Sequence, residues 1–189
     1  MYHVTSRGNN RRAILDDGVD KRTLLMELGV TVVKFEIEVA SYCLMSNHLH
    51  LCVKAEPEVF SDAMQRLNSM YARRHNKRHG RINHVFGTPF HSVPIVRDHE
   101  LAYAVRYGDR NPIVAGICSE PGDWPWSSFR AIAGLAPVPE FLSPHLVLEY
   151  FDSDPARARA KYRLFVEGGG GPLTEADLLA WLEVERRAA

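Results

Sequence analysis

The sequence is short of cysteine, of long apolar runs and of net charge, and each lack excludes something. There are three cysteines, Cys43, Cys52 and Cys118, in 189 residues. An odd number without C-x-x-C spacing supports neither a disulfide framework nor a zinc-thiolate site, so a reduced, cytoplasmic setting is expected. No apolar stretch approaches the roughly 18–20 residues of a membrane span, and residues 1–12 lack the apolar segment of a secretion signal, so no membrane partner is expected. The 23 basic and 23 acidic residues cancel to a formal net charge of zero. Spread evenly, that balance would argue against a nucleic-acid partner.

The charge is not spread evenly. No Asp or Glu occurs between Asp62 and Asp98, an interval that holds Arg66, Arg73, Arg74, Lys77, Arg78, Arg81 and Arg97. Acidic residues gather towards the end of the chain, among them Glu140, Glu149, Asp152, Asp154, Glu167, Glu175, Asp177, Glu183 and Glu185. A basic middle beside an acidic end is the footprint of a phosphate-binding face, although a charge run is also what a solvated helix face shows. The missing acids favour a polyanion partner. With 46% apolar and 24% charged residues, the chain falls among globular proteins and outside the fibrous or disordered classes.

Residues 2–7 alternate as a strand, and Gly8, Asn9 and Asn10 end it. Leu24, Leu25, Leu28, Val32 and Phe35 recur at helical spacing over residues 20–35. Residues 36–45 and 48–54 are β-rich and joined by Ser46 and Asn47, which predicts an antiparallel hairpin. Met64, Leu67, Met70 and Tyr71 form the stripe of a second helix over 60–79, with Gly80 as its C-cap. A strand over 90–97 and a helix capped by Asp98 and ending near Arg110, before Asn111-Pro112, complete the pattern. The order strand, helix, strand, strand, helix, strand, helix predicts an α+β fold: a ferredoxin-like antiparallel sheet with helices on one face. Residues 1–135 form the expected main domain. Residues 136–189 form a C-terminal extension with a helical segment near 156–165, a glycine hinge at 168–171 and a terminal helix over 175–187.

Two constellations carry chemistry. His48 and His50 flank Leu49 on a strand, so both imidazoles leave one face while Leu49 and Leu51 point into the core. That is half of a metal site, but it is equally the pattern of two surface or backbone-bonded histidines. Tyr107 and Asn111 lie four residues apart on a helix and share a face. Tyrosine, with an unperturbed pKa of about 10, needs an activated target or a nearby proton acceptor to attack. A core tyrosine is the alternative, and Tyr103, one turn earlier, competes for the role.

Four stretches stand in register. They are Tyr2-His3-Val4-Thr5-Ser6-Arg7-Gly8-Asn9-Asn10-Arg11, Met45-Ser46-Asn47-His48-Leu49-His50-Leu51, Arg106-Tyr107 with Asn111-Pro112 and Ala115-Gly116, and Asp123-Trp124-Pro125-Trp126-Ser127-Ser128-Phe129-Arg130. Together they resemble the REP-associated tyrosine transposases, which belong to the HUH single-tyrosine transposases. The resemblance runs from the start of the chain to about residue 133.

The resemblance implies a DNA transposase that recognises hairpin-forming DNA and cuts the adjoining single strand through a 5′-phosphotyrosine link. It places the nucleophile at Tyr107 and the metal ligands at His48, His50 and Asn111. That ligand mix suits Mg²⁺ or Mn²⁺. Arg73, Arg74, Lys77, Arg78 and Arg81, with Arg7 and Arg11 of the first motif, form the expected DNA-binding set. Whether the protein is a monomer or a homodimer stays open.

The chain departs from the family pattern at two places. Phe86-Gly87-Thr88-Pro89-Phe90 lacks a basic residue usual before the fourth strand, and Gly108-Asp109-Arg110 replaces a more apolar helical segment. Gly108 costs a helix interior up to about 1 kcal/mol. Three other readings compete: a catalytically silent hairpin-DNA-binding protein, an RNA-binding ferredoxin-like domain, and a metal hydrolase in which water replaces Tyr107. The RNA reading is weakened because the central strand presents histidines rather than aromatics.

Overall fold

A computed structural model describes residues 1–88 and 90–168. Four strands form one antiparallel sheet in the order β2-β3-β1-β4, with β1 Tyr2–Arg7, β2 Glu38–Leu44, β3 His48–Lys54 and β4 His91–Pro94. The expected antiparallel sheet is therefore present, with β1 and β3 at its centre.

Register decides which side chains share a face. Val4 opposes Leu51 and Ser6 opposes Leu49, whereas His3 opposes Cys52, Thr5 opposes His50 and Arg7 opposes His48. The first set faces the helices α1 (Gly18–Phe35) and α2 (Pro57–His79), as the bond from Ser6 Oγ to Asn68 Oδ1 of α2 shows. These two helices are the one-face layer that the sequence order predicts. The helix α3 (Asp98–Val114) is laid across the opposite face, where Gly108 approaches Cys43 of β2 and His50 of β3. Leu49, Leu51 and Val53 are buried beneath α1 and α2, in the main apolar cluster.

Local chemistry fixes the helix ends. The Asp17 carboxylate accepts from Val19 N and Asp20 N, so α1 starts earlier than its apolar stripe. Gly80 closes α2 with φ of 62°. Two expectations for α3 are corrected. Asp98 is its first residue and not its cap; the Glu100 carboxylate does the capping by accepting from Val96 N and Arg97 N. The helix also continues through Pro112 instead of ending near Arg110, because Pro112 is buried and the carbonyls of Asn111, Pro112 and Ile113 are met by the N–H groups of Ala115, Ile117 and Gly116. The fourth strand is shorter than the expected 90–97: it pairs with β1 over His91–Pro94, and Ile95 N adds one more bond to Met1 O just beyond it.

Beyond α3 the chain covers the outer edge of β2. Leu44 N donates to Trp126 O, Ser128 N to Tyr42 O and Ser143 N to Val39 O, and Trp124 Nε1 reaches Leu44 O. The Trp-Pro-Trp-Ser-Ser motif thus satisfies an otherwise open sheet edge. Short helices α4 (Phe129–Ile132) and α5 (His145–Leu148) follow, then α6 (Pro155–Glu167), whose Tyr162, Phe165 and Val166 belong to the same apolar cluster as the sheet. Gly168 is the C-cap of α6; the rest of the expected hinge and the terminal helix at 175–187 lie outside the described residues. Among the described residues no helix is long and apolar enough to cross a membrane.

Candidate active site

Strand alternation and register bring three histidines to one patch beneath α3. The His50 ring stacks on His3 with centroids 5.4 Å apart and meets His48 edge-on at 4.9 Å. The Tyr107 ring meets His50 edge-on at 5.3 Å, while Tyr103 is buried with its ring 6.1 Å from His99. Of the two competing tyrosines, Tyr107 is the one on the histidine patch. It is half-buried, so its ring is held while part of it meets solvent.

Each histidine candidate has its far side held. Asn47 Nδ2 donates to the Arg11 carbonyl, which turns its Oδ1 to His48 Nδ1 at 2.7 Å. Nδ1 of His48 therefore carries the hydrogen, and in the neutral ring Nε2 carries the lone pair. That Nε2 stands 3.2 Å from Asn111 Oδ1, a second acceptor brought there because α3 continues past Pro112. His50 Nδ1 has His3 Nε2 at 3.3 Å and Thr5 Oγ1 at 3.4 Å, whereas its Nε2 is buried without a hydrogen-bond partner. Burial first, then the neighbouring His3, His48 and Arg7, holds the His50 pKa well below the usual imidazole range, so the ring is neutral. Two imidazoles oriented by hydrogen bonds on their other nitrogens, together with an amide oxygen, form a donor set that fits a divalent cation. His3, Thr5 and Asn47 are parts of this arrangement that reading by residue type missed. Their signal was the i, i+2 spacing of His3 and Thr5 and the position of Asn47 next to His48.

The helix that carries Tyr107 and Asn111 is held from behind. Asp109 is buried and accepts from the Tyr162 hydroxyl of α6, Arg110 donates to the Val166 carbonyl at 2.8 Å, and the Arg106 guanidinium lies 5.0 Å from the Phe165 ring centroid. Burial pushes the Asp109 carboxyl up to about 7, with the Tyr162 hydrogen bond opposing it.

The basic residues divide between the two sides of the sheet. Arg7 shares the histidine face through its pairing with His48, and Arg11 lies in the loop that Asn47 contacts. The run on α2 lies in the opposite layer and is partly neutralised by α1: Arg74 pairs with Glu27, Arg78 with Asp17 and Asp20, and Arg81 Nη2 lies 4.0 Å from Asp16 Oδ2. Arg73 and Lys77 make no ion pair among the described residues. The sequence therefore showed a run of one sign whose partners sit in and just before a helix, 47 to 61 residues earlier for Arg74 and Arg78.

Among curated proteins, no sequence matches the chain. The solved structure of a REP-associated tyrosine transposase bound to a REP hairpin shares its fold, with a TM-score of 0.62 at 17% identity, over 75% of this chain and 84% of that one. The family model for IS200-like transposases matches residues 1–106, which takes in the sheet, both histidines of β3 and the helix up to Arg106. With more than half of its length matched, the chain belongs to the IS200-like transposase family.

Proposed function

We propose that the protein cuts single-stranded DNA beside a hairpin and rejoins it, using Tyr107 as nucleophile and a divalent ion, Mg²⁺ or Mn²⁺, held by His48, His50 and Asn111. The observation that carries this reading is the unpartnered, buried Nε2 of His50 in a patch where His48 Nε2 and Asn111 Oδ1 stand 3.2 Å apart and the Tyr107 ring lies on His50. When bound, the ion would polarise a phosphate oxygen and offset the charge that builds up as the phosphorus is attacked.

The chain's own residues account for the rest. The Tyr107 oxygen forms a bond to a backbone phosphorus, and the bond from that phosphorus to the 3′-oxygen of the preceding nucleotide breaks. The 3′-oxygen leaves as a hydroxyl, taking up a proton to match the one lost by the phenol. The phosphodiester energy is kept in the tyrosine ester, so a 3′-hydroxyl can later reverse the step on a different strand without ATP. The hold of α6 on α3 keeps Tyr107 in place against the histidines, which lowers the entropic cost of attack. Arg7 and Arg11, beside His48, hold the phosphates of the strand being cut. Arg73 and Lys77, with the paired Arg74, Arg78 and Arg81, supply weaker, salt-dependent contact to hairpin backbone further away.

The test is incubation with end-labelled hairpin-forming single strands taken from the flanks of the gene, with and without Mn²⁺, followed by denaturing electrophoresis. The expected result is a Mn²⁺-dependent covalent protein–DNA band that Tyr107→Phe abolishes. Binding with no covalent product under any ion would support a silent hairpin-binding protein, and cleavage that survives Tyr107→Phe would support a hydrolase using water.

A further inference from the structure

On the far side of the sheet from Tyr107, the start of α1 meets the end of α2 in a cluster that the strand-cutting reading does not use. Asp16 and Asp20 come from the first turn of α1 and the residue pair before it, and His75 and His79 come from successive turns of α2. One ligand atom from each of the four lies within 4.8 Å of every other. We infer that these four residues form a second metal site, for a divalent transition ion of the zinc type, which pins the start of α1 to the end of α2.

Ion pairing accounts for most of the cluster but not for all of it. Arg78 pairs with Asp20, His79 Nε2 lies 3.0 Å from Asp20 Oδ2, and Arg81 lies 4.0 Å from Asp16. These contacts satisfy the acids and leave the ring nitrogens of His75 without a hydrogen bond. His75 is 2% exposed, and neither of its ring nitrogens has a hydrogen-bond partner; its Nε2 faces Asp16 Oδ2 at 3.9 Å, beyond hydrogen-bond reach. A buried imidazole with both nitrogens unsatisfied is destabilising unless something absent from the polypeptide occupies it. A cation between His75 and the carboxylates would take up one of the two nitrogens.

The donor set selects the ion. Two imidazoles with two anionic carboxylates make a four-donor set that suits zinc and its neighbours, whereas calcium takes about six to eight oxygens, which these side chains do not supply. Ligands about 2.0–2.2 Å from a tetrahedral ion stand roughly 3.4 Å apart. The widest pair of atoms thus needs to close by up to about 1.4 Å, which turning of the partly exposed Asp16 and His79 side chains allows. The spacing of four residues keeps His75 and His79 on one face of α2, whereas Asp16 precedes α1 and is brought to Asp20 by the turn at Asp17, its N–H donating to Asp20 Oδ2 at 3.2 Å. The two outer ligands are reachable by solvent, with 33% and 20% side-chain exposure for Asp16 and His79, so the ion has a way in. The ion would also brace residues 12–17, since Ile14 N and Leu15 N both donate to Ser46 O in the turn before His48.

The test counts bound zinc on full-length protein that has been stripped with a chelator, reloaded with Zn²⁺ and freed of excess by gel filtration. His79→Ala and Asp16→Asn should each hold one equivalent fewer than the wild type, and each should lose the rise in Tm that zinc gives. Asp16 is at the surface, so its amide variant folds even if the histidine variant does not, and it then decides the matter alone. An unchanged zinc count in folded Asp16→Asn and His79→Ala overturns the site. His48→Ala, measured alongside, reports on the catalytic reading separately: loss of zinc there with the full count in His79→Ala leaves one site and removes this one, while loss in both establishes two.

Discussion

Asn47 Oδ1 stands 2.7 Å from His48 Nδ1, and the same amide donates through Nδ2 to the Arg11 carbonyl at 3.2 Å. One side chain therefore sets the tautomer of a candidate ligand and ties it to the loop after β1. Outer partners of this kind change metal affinity by about 10–100-fold when removed. Asn47→Ala should raise the Mn²⁺ concentration for half-maximal covalent product by that factor while leaving the far-UV circular dichroism unchanged. An unaltered Mn²⁺ dependence would show that His48 is oriented without Asn47.

Gly108 looks like a defect in a helix, yet it lies where α3 comes closest to the sheet. A Cβ built there falls 3.8 Å from the Cβ atoms of both Cys43 and His50, an ordinary contact distance. Gly108→Ala should therefore fit, keep cleavage and stabilise the protein by roughly 0.5–1 kcal/mol in urea unfolding. Gly108→Leu should cost about 1–3 kcal/mol through overpacking. It should also lose cleavage, because lifting α3 moves Tyr107 and Asn111 away from the histidines. An active Leu variant would mean that the close approach is dispensable.

How much of this was legible depends on the range of the interaction. Alternation placed His48 and His50 opposite Leu49 and Leu51 because strand geometry is local. Spacing put Tyr107 and Asn111 on one helix face for the same reason, and Gly80 was readable as a cap. The part played by His3 was not, since its meeting with His50 depends on the β1–β3 register. Nor was the passage of α3 through Pro112, where buried packing overrides a local rule that stops helices before proline. Least legible was how far the α2 charge run is paired, because Glu27, Asp17 and Asp20 reach Arg74 and Arg78 from the start and middle of the preceding helical segment.

Gly8 ends β1 at a point with no room for a side chain. A Cβ there would stand 2.2 Å from the Arg12 carbonyl oxygen and 2.8 Å from Ile14 Cγ2. The turn that follows holds Asn10 and Arg11 at φ of 53° and 56°, a conformation that L-residues resist. Gly8→Ala should destabilise the fold by roughly 1–3 kcal/mol. Because the displaced loop carries the carbonyl that Asn47 holds, the Mn²⁺ requirement should rise as well. A Gly8→Ala protein with wild-type Tm and Mn²⁺ dependence would refute the crowding argument.

Asp109 gives stability a pH dependence opposite to that of a salt-bridged carboxylate. Its side chain is buried against Tyr162, and burial raises it from 3.8 to about 7. Between those two values the unfolded chain has released the proton and the folded chain still holds it, so the folded state binds more protons there. Stability must then fall as pH rises through that window, by up to roughly 1.4 kcal/mol for each pH unit from this group, and the loss is complete above about 7. Asp109→Asn keeps an acceptor for the Tyr162 hydroxyl and has no proton to release. Urea midpoints measured from pH 4.5 to 7.5 should therefore fall more steeply for the wild type than for Asp109→Asn, with the two closest at the acid end. Parallel profiles would mean that Asp109 ionises in the folded protein as readily as in the unfolded chain, and that the junction between α3 and α6 admits water.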